Sequence, residues 1–110
     1  MGPLHGLKVV EFAGIGPAPC AGMMLADMGA EVILVERKTP NANAAVGDGA
    51  RAANFVHRGK RSIAVDLKQS SATDLVLRLI DRADIVVEGF RPGVMERLGL
   101  GPTVCHARNP

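Results

Sequence analysis

What most constrains this chain is a repeated switch of hydrophobic period. Leu7-Lys8-Val9-Val10-Glu11-Phe12 is a short apolar run closed by Ala13-Gly14-Ile15-Gly16-Pro17, the pattern of a buried strand entering a Gly/Pro turn. Past the turn, Ala21, Met24, Leu25 and Met28 fall at i, i+3, i+4 and i+7, which puts one apolar stripe on a helix of about three turns. Met23 joins Met24 and Met28 as expected helix core, and Gly29 suits the left-handed residue just past the helix end. Glu31-Val32-Ile33-Leu34-Val35-Glu36 then runs continuous and β-branched, as a strand covered on both faces of a parallel sheet does.

The same alternation continues down the chain. Ser62-Ile63-Ala64-Val65-Asp66-Leu67 reads as a third strand, and Ser70 or Ser71 as the cap of a helix whose inner stripe is Ala72, Val76, Leu79 and Ala83. Asp84-Ile85-Val86-Val87-Glu88 reads as a fourth strand. Pro92 fits the first turn of a short helix through Leu98 with Gly99 as its stop, and Pro102 opens another turn or helix. Residues 39–59, rich in Asn, Ala and Gly, read as one long loop of a length that goes with function or disorder. Strands alternating with helices predict one α/β domain over residues 1–110, a mostly parallel sheet with right-handed crossovers and flanking helices. At 110 residues there is no room for a second domain.

Such a sheet binds ligands beyond the carboxyl ends of its strands, which singles out residues 13–19, 37 onward, 67–71 and 89–97. Charge agrees with that choice. Net charge is only +2, but residues 37–68 carry seven basic side chains against two acidic ones, a stretch suited to an anion. Phe12, Phe55 and Phe90 are the whole aromatic complement, which counts against nucleic-acid modules that stack bases on aromatic platforms. The longest uncharged run, residues 12–26, is broken by Pro17 and Pro19 and falls short of the roughly 20 residues of a bilayer span. No nucleic-acid or membrane partner is therefore expected. Cys20 and Cys105 fit neither a disulfide framework nor a metal-ligand spacing, and no targeting signal is visible, so a reducing cytoplasmic location is expected and no metal site.

Gly14-Ile15-Gly16-Pro17-Ala18-Pro19 starts like a dinucleotide fingerprint, with Glu36 at the spacing of a ribose-binding acid, but Pro19 stands where that fingerprint has Gly or Ala. Arg37 offers a planar fork for phosphate and a face for adenine. The other reactive side chains have ordinary explanations. His57 reads as an exposed loop residue, while His5 and His106 lie near the ends without an evident partner. Cys20 reads as a small buried residue at a helix start, and Asp66 and Glu88 as salt-bridge partners of Lys68 or Arg91.

Several blocks together carry a resemblance. Residues 6–19, Leu25-Ala26-Asp27-Met28-Gly29-Ala30-Glu31-Val32, Arg58-Gly59-Lys60-Arg61-Ser62, Asp66-Leu67-Lys68 and Glu88-Gly89-Phe90-Arg91-Pro92-Gly93-Val94-Met95-Glu96-Arg97-Leu98-Gly99 resemble the start of the α-methylacyl-CoA racemases, a branch of the family III CoA-transferases (the CaiB/BaiF group). The resemblance implies a Rossmann-like fold, this chain being the N-terminal portion of the family's large domain, and an interlocked homodimer of full-length chains. It implies epimerisation at C2 of 2-methyl-branched acyl-CoA thioesters, or alternatively CoA transfer between carboxylic acids through an acyl-Asp intermediate. A non-catalytic nucleotide-binding remnant is the third alternative. It implies a coenzyme A site including Ile15, Gly16, Arg37, Val65, Lys68, Gly89, Phe90, Arg91, Arg97 and Leu98, and no separate catalytic cofactor. The proton-transferring His and Asp of the racemases, and the nucleophilic Asp of the transferases, are implied to lie beyond residue 110, leaving this chain by itself inactive.

Overall fold

The computed structural model describes residues 2–37 and 54–110. Its elements are β1 (Lys8–Phe12), α1 (Pro17–Asp27), β2 (Glu31–Arg37), a 3₁₀ turn (Asn54–His57), β3 (Lys60–Val65), α2 (Ser70–Ile80), β4 (Ile85–Val87), α3 (Val94–Arg97) and α4 (Pro102–Arg108). The strands form one four-stranded sheet, all parallel, in the order β3-β2-β1-β4. This is the α/β architecture expected from the alternation. Of the loop predicted at 39–59, residues 39–53 lie outside the described residues, and 54–57 form the 3₁₀ turn.

Two cores cover the two faces. On one, Val10, Phe12, Val35 and Val65 pack against Val76, Leu77 and Ile80 of α2, with Met95 and Leu100 closing the end. Of the stripe predicted for α2, Val76 is fully buried and Ala72 and Leu79 pack partly buried against the same cluster, but Ala83 lies past the helix end, and the remaining buried residues are Leu77 and Ile80. On the other face Val9, Ala30 and Val32 meet Leu25 and Ala26 of α1, with Leu4, Leu7, Ile85 and Val87 around them.

The predicted phase of α1 is corrected. Its buried residues are Ala18, Pro19 and Gly22, whereas Ala21, Met24 and Met28 are exposed and Met23 and Leu25 half-buried. The helix lies so close to β1 that a Cβ on residue 22 would collide with Glu11 Oε1, so the small residues face the sheet and the methionines turn outward. Cys20 is likewise exposed rather than buried.

The third strand is shifted from Ser62–Leu67 to Lys60–Val65. Its ladder with β2 runs from Val32↔Lys60 to Arg37↔Val65, and Lys60 and Arg61 enter the sheet because Glu11 and Glu31 receive their charges. Helix α2 begins at Ser70, so neither Ser70 nor Ser71 is its cap as expected; Gln69 occupies that position and supplies no side-chain bond.

Candidate functional site

Parallel strands place all their following loops on one rim. After β1 the chain must turn sharply into α1. Gly16 caps that helix with φ of 89°, a conformation that favours glycine, and Pro17 follows at the first helical position, where its missing N–H costs nothing. Ala13 N–H donates to Val35 C=O at 2.9 Å, which ties the turn to β2, and leaves Ile15 standing 97% exposed on the rim.

Arg37 ends β2, exposed, in register with Val65 at the end of β3. The Val65 side chain is buried in the α2-side core, so what it offers the rim is main chain. Lys68 is exposed in the turn that follows, which is held by its own N–H donating to Asp66 Oδ1 at 3.1 Å.

After β4, Gly89 passes the first turn of α1: a Cβ there would stand 3.3 Å from that of Ala18. Phe90 donates its N–H to Glu88 Oε2 at 2.8 Å and sets its ring 6.2 Å from that of Phe12, tilted by 59°. Arg91 and Arg97 are exposed, and Leu98 is half-buried against the core. The Leu98 carbonyl accepts from Thr73 Oγ1 at 3.4 Å, which brings the end of α3 against the first turn of α2, just past Lys68.

The fold thus gathers Ile15, Gly16 and Gly89 in one part of the rim, Arg37, Val65 and Lys68 in another, and Arg97 and Leu98 beside the start of α2. Asp66 and Glu88, expected to pair with Lys68 and Arg91, instead accept main-chain N–H bonds within their turns. A donor two residues away orders no long side chain, so the local bond wins.

Three cations of the basic stretch are directed elsewhere. Arg58 makes a two-pronged contact with Asp27, Nε at 3.1 Å and Nη2 at 2.6 Å. Arg61 faces Glu31 at 3.5 Å on the surface, and Lys60 is buried against Glu11 at 2.7 Å. Sequence reasoning passed over Glu11 and Lys60. The available signal was a carboxylate inside an apolar strand, which cannot be buried without a partner.

His57 is half-buried in the 3₁₀ turn rather than exposed, and its Nδ1 has no partner among the described residues. Cys105 donates Sγ–H to the Leu100 carbonyl at 3.3 Å, and burial pushes its thiol pKa up, away from thiolate reactivity. A cavity of about 460 Å³ lies away from the α1 turn and Arg37, between the open edge of β4 and the segments of α3 and α4, among Ile85, Glu88, Met95, Leu100 and Cys105. No group of three or more metal-ligating side chains occurs among the described residues, nor any helix long and apolar enough to cross a membrane.

Comparison with known proteins gives concordant results. The sequence profile described as CoA-transferase family III matches residues 4–110. Alpha-methylacyl-CoA racemase of Mus musculus is 47% identical over 107 residues, which is 97% of this chain and 26% of the racemase. The probable fatty acyl-CoA transferase Rv3272 of Mycobacterium tuberculosis is 45% identical over 117 residues, covering 98% of this chain and 29% of that protein. The crystal structure of a CAIB/BAIF family protein from Brucella suis superposes with a TM-score of 0.89 at 37% identity, covering 99% of this chain and 31% of that one. The chain therefore spans between a quarter and a third of the length of these relatives.

Proposed function

The chain belongs to CoA-transferase family III, and from that premise we propose that its residues 1–110 are the CoA-gripping, N-terminal part of the large domain of an acyl-CoA racemase. The reaction is epimerisation at C2 of a 2-methyl-branched acyl-CoA thioester. What supports this reading is that Arg37, Lys68, Arg91 and Arg97 are exposed and, like the Gly16 and Gly89 turns, follow the carboxyl ends of strands in one parallel sheet. Arg37, Lys68 and Arg97 meet the phosphates or the adenine, each charged hydrogen bond contributing roughly 1.5–3 kcal/mol. Ile15 and Phe90 form apolar walls. Gly16 and Gly89 keep the surface low enough for the ligand to lie against main chain, and Val65 and Leu98 line it from the strand end and from α3.

Ile15 favours racemisation over transfer, because the family resemblance implies a polar residue such as Gln at this turn in the transferases. Deprotonation beside a thioester needs a base on the C–H, a stabiliser for the enolate oxygen and an acid on the opposite face. We assign those groups to the remainder of the full-length protein, an interlocked cytoplasmic homodimer using no cofactor besides the coenzyme A of its substrate. The second reading, CoA transfer between carboxylic acids through an acyl-Asp, draws its support from the 45% identity to Rv3272.

Titration calorimetry tests the site. The expected result is that CoA binds the 110-residue chain weakly and NAD does not, and that Arg37→Ala or Lys68→Ala weakens CoA about tenfold or more. Binding of NAD with CoA silent would reverse the assignment. Deuterium exchange at C2 of a branched acyl-CoA is expected from full-length protein and not from the 110 residues alone. CoA transfer to a free acid without such exchange selects the second reading.

A further inference from the structure

The Arg58-Gly59-Lys60 segment carried part of the family resemblance, yet Lys60 opens β3 at the amino end of the sheet, far from the proposed CoA rim. Its side chain corrects that distance. Lys60 is level with Val32 of β2, but its Nζ passes diagonally over β2 to stand 2.7 Å from Glu11 Oε1 near the carboxyl end of β1. The same Nζ donates to the Pro19 carbonyl at 3.1 Å, in the first turn of α1. The two side chains are 1% and 0% exposed, and among the described residues neither carboxylate oxygen of Glu11 has a donor aligned for a hydrogen bond. Gly22 leaves the space that the carboxylate occupies. Two residues earlier, Arg58 grips Asp27, the last residue of α1. One short segment therefore holds α1 at its first turn and at its last residue.

Stability alone is a poor reason for such a pair, since well-packed apolar residues in place of a buried ion pair are often neutral or stabilising. What apolar residues cannot supply is a directed bond to a chosen carbonyl. Pro19 lies three residues beyond Gly16, so that bond acts on the turn carrying Ile15 and Gly16. We propose that Glu11 and Lys60 are positioning residues: through Lys60 Nζ on the Pro19 carbonyl, the pair sets where the Ile15-Gly16 turn stands relative to Arg37 and Lys68. The inference rests on the rim being the CoA site.

The test replaces both partners at once, Glu11→Leu with Lys60→Met, in the 110-residue chain, so that no charge is left buried. Thermal unfolding, CoA affinity by calorimetry and the amide resonances of Gly14 and Gly16 are compared with the parent chain. Unfolding stays close to the parent, CoA affinity falls about tenfold, and both glycine resonances move while that of Gly99 does not. Unchanged CoA affinity or unmoved glycine resonances overturn the proposal. A double variant that fails to fold assigns the pair to fold stability alone and overturns it equally. If the parent chain does not bind CoA, the rim reading has failed, and the glycine resonances by themselves decide whether the pair positions the turn.

Discussion

The two faces of the sheet achieve burial by different means. Among the described residues, the fully buried side chains of the α2 side are all apolar, Val10, Phe12, Val35 and Val65 against Val76, Leu77 and Ile80. The α1 side buries Val9, Val32 and Leu34 but holds an ion pair, Glu11 with Lys60, beneath a helix that meets it through Gly22. Apolar packing is non-directional and tolerates repacking at constant volume. A buried pair with one directed bond specifies a single placement. The difference agrees with the positioning role proposed for the pair, since the directed bond falls on the first turn of α1, just past the Ile15-Gly16 turn.

The largest effect expected from this contrast is on the α1 side. Lys60→Met alone leaves Glu11 buried without its cation and costs about 3–5 kcal/mol in urea denaturation. A loss under about 1 kcal/mol would mean that the carboxylate is readily solvated, and the contrast would dissolve. On the α2 side, Leu77→Ala costs about 2–5 kcal/mol through the cavity it leaves, while Leu77→Met stays under about 1.5 kcal/mol. A directional requirement hidden on that face would show as equal losses for the two substitutions.

The smallest effect tests what the faces share. Each has one exposed Arg-Asp clip, Arg58 on Asp27 at the end of α1 and Arg108 on Asp81 at the end of α2. Hydrogen bonds from the arginines, aided by their charge and opposed by desolvation, hold both carboxyls below the ordinary aspartate value of 3.8. A depressed folded-state pKa stabilises the fold above the unfolded value and loses that contribution as pH falls through and below it. Stability should therefore decline on the acid side of about pH 4, modestly and less so at high salt, since both pairs are in water. Arg58→Ala and Arg108→Ala should each flatten that limb in a pH series of unfolding curves. A flattening by only one of them would separate the faces here too.

Much of this architecture was legible in local pattern. The β-branched runs and the Gly/Pro turns announced β1, β2 and β4, and the stripe around Val76 announced the buried face of α2. Gly29 and Gly99 were expected to stop helices, and both take positive φ. The candidate site was legible only as a set of loops, because parallel topology by itself brings the carboxyl ends of strands together. The phase of α1 was not legible. Ala, Met and Gly all count as apolar, and spacing cannot say which of them faces the sheet when the deciding contact is a glycine against a distant carboxylate.

By itself the sequence determined the order and type of the elements and the rim on which their loops converge, since both follow from short-range periodicity and turn chemistry. Only the tertiary structure decided which cations of the basic stretch, among the described residues, stand exposed and which are drawn inward. Arg37 and Lys68 stand exposed on the rim, whereas Lys60, whose bond to Pro19 joins residues 41 positions apart, is drawn into the interior by a carboxylate that had to be neutralised to be buried.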